Sequence, residues 1–206
     1  IPDTFGWSYR MARKLSTPVV VRLHGPIFLT QDAGDIGQPI KFSKRISLEG
    51  RALKDADGVT APSWDVLERT RNHYELPLRN ACVIPNPFAP IPSSGRWSLD
   101  ACDTSAILFV GRFDRTKGGD LAIRAFRQVA AKYPETRLIF AGPDRGLWDD
   151  ASKLHSLGEY AEAHFPGALA AGRIEVRGEL GLAEVMQLRT QAFVTIVPSR
   201  YETFGN

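Results

Sequence analysis

Short apolar runs alternate along the chain with stretches in which apolar residues recur every three or four positions. Val19 to Leu23 is a β-branched run that reads as a buried strand leading into His24-Gly25-Pro26. Residues 26–41 lack periodicity and contain Gly34, Gly37 and Pro39, which predicts a loop. Residues 43–56 read as a helix and Gly58 to Ala61 as a short strand. Ser63 suits the N-cap of a helix through Tyr74, and Val83-Ile84 forms another small strand. The pattern then restarts. Strands are expected at 107–110, 137–141, 174–177 and 193–197, with helices at 118–132, 149–164 and 182–190. Strands alternating with helices predict parallel sheets joined by right-handed crossovers. Pro85, Pro87, Pro90 and Pro92, followed by Ser93, Ser94 and Gly95, can continue neither a helix nor a central strand. The reading is α/β, with a first unit at 1–88, a proline-rich linker at 89–104 and a second unit at 105–206.

Composition narrows the classes only a little. The 206 residues, 43% hydrophobic and 24% charged, are ordinary for a soluble globular chain with room for one large core or two small ones. The net charge is +3, and its cations are spread along the chain. That favours small anions or a membrane surface over nucleic acid. Cys82 and Cys102 have neither metal-ligand nor redox spacing, so a reducing cytoplasm is expected. No run approaches the ~18 apolar residues of a membrane span, and no signal peptide opens the chain. The start at Ile1 and the stop at Asn206 within an apparent turn suggest a piece of something longer.

The richest chemistry lies in Gly111-Arg112-Phe113-Asp114-Arg115-Thr116-Lys117-Gly118, between a predicted strand and a predicted helix. A helix N-terminus carries partial positive charge and unpaired N–H groups, so a lysine there is unfavourable on its own. An anion between Arg112, Lys117 and those N–H groups would relieve the conflict, and a phosphate fits best. The competing reading is two solvated surface cations. Other polar residues also fall at carboxyl ends of strands, where open parallel sheets bind ligands: His24, Gly142, Gly178 and the Glu202-Thr203-Phe204-Gly205 run. Taken singly, His24 could be a hydrogen-bonded structural residue, Glu202 a solvated acid, and the glycines mere turns. Together they point to one cleft. Glu49, His73, His155 and His164 lie on apparent helices and read as surface or structural. No histidine pair has metalloprotease spacing, and neither a G-x-G-x-x-G fingerprint nor a Walker A motif occurs.

These segments resemble the large retaining group of GT-B-fold glycosyltransferases, of the glycosyltransferase family 4 (group 1) type. Val20 to Pro26 (VVRLHGP), Ala56 to Ser63 (ADGVTAPS) and Val83 to Pro87 (VIPNP) resemble the second half of the acceptor-side domain. Gly111 to Gly118, Leu138 to Gly142 (LIFAG) and Val197 to Asn206 (VPSRYETFGN) resemble the donor-side domain. The resemblance implies two Rossmann-like domains, both incomplete in this chain. It implies a nucleotide-sugar donor, a saccharide or glycolipid acceptor, and retention of anomeric configuration. The donor would serve as a substrate, with no cofactor and no metal. Arg112 and Lys117 would grip the donor diphosphate, and His24 would sit beside the transferred sugar. Glu202 would bind donor-sugar hydroxyls, with backbone N–H groups around Phe204 and Gly205 adding contacts, while Gly111, Gly142 and Gly178 would line the donor site. The family's second glutamate would fall beyond Asn206, and its glycine-rich acceptor loop is missing; Arg115-Thr116 replaces the usual Pro-Glu. A setting in polysaccharide or glycolipid synthesis follows, cytoplasmic or peripheral at the inner membrane face. A nucleotide-sugar epimerase on the same fold, a non-catalytic glycosyltransferase-like subunit and a generic phosphate-binding α/β domain remain as alternatives.

Overall fold

A computed structural model describes residues 16–32, 39–88, 96–149 and 152–205. The chain divides into two units, Ile1–Ala89 with Tyr201–Asn206, and Pro90–Arg200. The heart of the proline-rich linker, residues 89–95, lies outside the described residues, as do 1–15 of the predicted first domain. The final stretch assigned to the linker is ordered. Leu99–Ala101 form a 3-10 turn, Trp97 Nε1 donates to Ala192 O at 2.9 Å, and a strand begins at Asp103.

In the first unit, β1 (Val20–Arg22), β2 (Gly58–Ala61) and β3 (Ala81–Val83) form a parallel sheet in that order. Between them run α1 (Ile27–Asp32), α2 (Pro39–Lys54) and α3 (Trp64–Tyr74). Ser63 caps α3 as its position predicts: its Oγ accepts the Val66 N–H at 3.3 Å. α2 begins earlier than the predicted 43. The predicted loop at 26–41 is corrected. Its first part is the short helix α1, and residues 33–38 lie outside the described residues. The physical reason is burial, because Phe28 and Leu29 join Leu23, Leu53, Val66 and Leu67 in the core.

Glu49, on α2, is buried at 3% exposure, and its Oε2 accepts both the Tyr74 hydroxyl at 2.6 Å and the Ile27 N–H at 3.2 Å. Burial pushes its carboxyl above the usual range, outweighing the two hydrogen bonds that favour the ionised form. The folded state therefore binds more protons than the unfolded chain just above the ordinary carboxylate range, and stability falls as pH rises through that window. Denaturant midpoints taken at about pH 5 and 7 should show the native chain gaining about 1 kcal/mol on acidification relative to Glu49→Gln, which keeps an acceptor for both donors. An equal pH response in the two proteins would assign the dependence to another group.

The second unit is a four-stranded parallel sheet in the order β8-β5-β4-β9. Its strands are β4 (Asp103–Val110), β5 (Arg137–Ala141), β8 (Ile174–Gly178) and β9 (Ala192–Ile196). Alternation along β4 and β5 sends Phe109, Leu138 and Phe140 to one face, against Ile123 and Phe126 of α4 (Gly119–Lys132) and Leu157 of α5 (Leu157–His164). Ala106, Leu108, Ile139 and Ala141 face the other way, with Leu188 of α6 (Leu182–Gln191) packed over them. Counted within the unit, the strand order is 3-2-1-4, a doubly wound sheet whose direction of winding reverses between β4 and β9.

The helix expected at 149–164 is corrected. Its first part belongs to a two-stranded antiparallel ribbon that begins just before it, β6 (Leu147–Trp148) with β7 (Leu154–His155), and only 157–164 is helical. Gly146 at φ +76° and Ser152 at φ +61° turn the chain, and the Asp149 carboxylate accepts the Lys153 N–H at 2.8 Å, which diverts this segment from a helix. The helix starts where Ser156 and Glu159 form a reciprocal capping box.

Candidate functional site

Three strands of the second unit end in glycine, and their ends meet. Gly111, after β4, donates its N–H to Ala141 O at 2.9 Å; Gly142, after β5, donates to Gly178 O at 2.7 Å. Gly142 has φ +145°, and a Cβ there would lie 2.0 Å from Gly111 O and 3.3 Å from Arg112 N. Only glycine permits this approach. A Cβ on Gly111 would in turn meet Lys117 Cβ at 3.6 Å, so the lysine stem stands beside bare backbone. The result is an uncovered main-chain platform at the carboxyl ends of parallel strands, with a cationic side chain beside it.

The turn that follows β4 carries both cations. Phe113 is fully buried and pairs with the strand beyond Gly142, its N–H donating to Pro143 O at 2.9 Å, while Arg112 faces outward at 45% exposure. Asp114 holds the turn together. Its carboxylate, 3% exposed, accepts Arg112 Nε at 2.6 Å on one oxygen and the Lys117 N–H at 2.7 Å on the other. The conflict of a lysine at a helix start is thus relieved in part by the chain's own anion. The helix N-cap, Gly118, has φ +72°, and a Cβ there would lie 2.1 Å from Pro198 O. Across the winding reversal, Arg200 donates its N–H to Thr116 O at 2.8 Å and Nη1 to Arg115 O at 2.6 Å, and forms a two-pronged ion pair with Asp120. The sequence reading missed Asp114 and Asp120. The available signals were an aspartate three residues before a main-chain donor in a tight turn, and an acid in the first turn of a helix.

The remaining predicted residues belong to the first unit. His24 is exposed just after β1, its N–H donating to Arg22 O at 3.1 Å. Thr203 reaches the same loop: a Cβ on Gly25 would meet Thr203 Cγ2 at 3.9 Å. Ser63 Oγ donates to Thr203 O at 3.0 Å, and Tyr201 donates its hydroxyl to Asp65 Oδ2 at 2.8 Å beneath the Arg69 guanidinium. That hydroxyl holds the Asp65 carboxyl below its usual range. Residues 201–203 are therefore seated on the start of α3, close to the His24-Gly25 loop. Glu202 and Phe204 are half-buried, and Gly205 is exposed with open space about it. The sequence placed all of 105–206 in one domain, whereas 201–206 group with the first unit.

Glu49 is structural, as read from the sequence. His73 stacks on Phe28 and His164 on Tyr160, each with ring centroids 3.9 Å apart. His155 lies on a strand rather than a helix, paired with Asp149 at 2.8 Å. Among the described residues no group of three or more His, Cys, Asp or Glu could hold a metal ion.

A doubly wound sheet with helices on both faces, together with a second parallel α/β unit, is the architecture of the GT-B class. Residues 99–206 match the family described as Glycosyl transferases group 1, and residues 2–90 match Glycosyltransferase Family 4. The chain belongs to the group 1 glycosyl transferases. Among curated relatives it is 27% identical to D-inositol 3-phosphate glycosyltransferase of Nocardiopsis dassonvillei, over 94% of this chain and 46% of that protein. It is 25% identical to the phosphatidylinositol N-acetylglucosaminyltransferase gpi3 subunit of Schizosaccharomyces pombe, over 87% of this chain and 35% of that one. The chain spans about half the length of most curated relatives it matches. Among solved structures, Anabaena Alr3699/HepE in complex with UDP-glucose is similar at a TM-score of 0.64 and 17% identity, over 97% of this chain and 52% of that one. The trehalose-phosphate synthase of Burkholderia xenovorans also reaches 0.64, at 14% identity, over 99% and 51%.

Proposed function

We propose that the whole protein transfers a sugar from a nucleoside-diphosphate sugar to an acceptor hydroxyl, with retention, in polysaccharide or glycolipid synthesis. The observation that carries this reading is the glycine platform of Gly111, Gly142 and Gly178 beside a turn in which Asp114 holds the Arg112 guanidinium and the main chain of Lys117. A diphosphate needs close main-chain approach and nearby cations, and both lie at the carboxyl ends of these parallel strands, next to the winding reversal. Arg112 and Lys117 stabilise the negative charge that develops on the departing diphosphate, a task that calls for no metal here. His24 contributes a hydrogen bond beside the transferred sugar, Glu202 accepts from donor hydroxyls, and the Phe204 and Gly205 N–H groups add contacts. Spread positive charge and two free cysteines suit a cytoplasmic protein that touches a membrane surface from that side. Among the described residues no helix is long and apolar enough to cross a membrane.

The test is calorimetric titration of UDP, GDP and ADP into the 206-residue chain. One nucleotide should bind selectively, with Arg112→Ala and Lys117→Ala each weakening it by roughly 10- to 100-fold, the range of a charge-assisted hydrogen bond. Unchanged affinity in both variants would remove these residues from the donor site.

A further inference from the structure

A second cavity, of about 410 Å³, opens in the Pro90–Arg200 unit and is lined by none of the donor-site candidates. Its walls come from the turn before α4, the exposed side of α4, the β6–β7 ribbon and α5. Three arginines line it, of which two are Arg115 and Arg124. Among the described residues no carboxylate lies within ion-pair distance of either, whereas the third arginine, Arg200, is engaged by Asp120 through both nitrogens. Tyr160 shares a hydrogen bond with Arg124, and its ring is stacked on His164. Trp148, which also lines the cavity, keeps 43% of its surface exposed on a two-residue strand. At the rim the Asp149–His155 pair supplies polar atoms.

We propose that this cavity binds a phosphorylated monosaccharide. Two arginine forks with no acidic partner among the described residues line the cavity with a tyrosine hydroxyl, and donors of this kind take a dianionic, multi-oxygen group. A half-exposed indole offers a flat apolar surface to the C–H face of a pyranose, and the polar rim offers partners to its hydroxyls. The volume lies within the ~300–1,000 Å³ range of small-molecule sites, at its lower end, which suits one sugar ring with its phosphate. The assignment is independent of the donor-site reading, because the two sites share no residue.

The test is titration of glucose 6-phosphate and glucose 1-phosphate into the 206-residue chain, followed by tryptophan fluorescence and calorimetry. Inorganic phosphate, glucose and AMP are run beside them. One hexose phosphate should bind saturably at submillimolar concentration. Arg115→Ala and Arg124→Ala should each weaken it at least tenfold, and Trp148→Phe should abolish most of the fluorescence change. Arg112→Ala should bind it as the native chain does, which separates this cavity from the donor site. Circular dichroism of each variant checks that the fold is kept. Three outcomes would overturn the proposal: no saturation by 10 mM of either hexose phosphate, phosphate or AMP binding as tightly as the best hexose phosphate, or binding lost in Arg112→Ala but kept in Arg124→Ala.

Discussion

Gly142→Ala is expected to cost the fold about 2–5 kcal/mol, a large part of the ~5–15 kcal/mol that holds a typical domain together. Two terms add. A side chain at positive φ costs about 1–2 kcal/mol wherever it occurs. The methyl group would also lie 2.0 Å from Gly111 O and 2.6 Å from Gly111 C, and those are main-chain atoms that no rotamer change can move. Overpacking against an immobile wall adds about 1–3 kcal/mol. Gly167 separates the terms, because it has φ +75° but open space around its missing Cβ. Gly167→Ala should therefore lose only the conformational part. Guanidinium titrations of the two variants beside the native chain measure the difference. Equal losses would mean that β4 and β5 do not approach so closely at their ends, and the bare platform would lose its physical basis.

Asp114→Ala is expected to lower stability by about 2–4 kcal/mol and to weaken nucleoside-diphosphate binding about tenfold. The buried carboxylate accepts two donors, one of them a guanidinium, and hydrogen bonds to charged groups contribute about 1.5–3 kcal/mol each. Two effects on binding oppose one another. Removing a negative charge strengthens attraction for a diphosphate, but it also frees Arg112 and loosens the turn that carries Lys117. Orientation should dominate, since an exposed arginine that must be ordered on binding gives back much of its interaction energy as lost rotamer freedom. Asp114→Asn, which retains an oxygen for the Lys117 N–H, should fall between the two proteins in stability. Tighter UDP binding by Asp114→Ala would show that repulsion outweighs positioning.

Asp114 also shows where the sequence was readable and where it was not. Strands buried on both faces announce themselves as unbroken apolar runs, and Arg137–Ala141 was legible to the residue. Helix α4 was legible because one broad face is apolar, and α3 because Ser63 marks its start. The glycines and cations stood out because strand–glycine–helix patterns place such residues at sheet ends. Contacts were not legible. The spacing marks Asp114 as an acceptor for the main-chain donor three residues on, but nothing local shows that its carboxylate is buried. The ribbon at 147–155 failed for a related reason. Leu147, Trp148 and Leu154 mimic helical spacing, and the preference is settled by two positive-φ residues and an aspartate turn. Ser156 and Glu159 did carry the correct helix start in the sequence. Tyr201 to Thr203 were legible as chemistry but not as packing, since their partners, Asp65 and Ser63, lie 136 and 140 residues earlier.

The clasp of Arg200 on the turn before α4 bears on how the molecule assembles in time. Arg200 meets Arg115 O and Asp120 across separations of 85 and 80 residues, and β4, the first strand of its sheet, takes β9, the last, as a neighbour. Contacts of such sequence range close slowly, because the intervening loop must surrender its entropy first. As the chain emerges from the ribosome at roughly 5–20 residues per second, the cation-bearing turn waits some seconds for its fastener. Until then β4 has one flank bare, and the hazard in that interval is pairing with another nascent strand. The clasp on the cation-bearing turn is therefore expected to form after the β4–β5 pairing rather than as a nucleus for it.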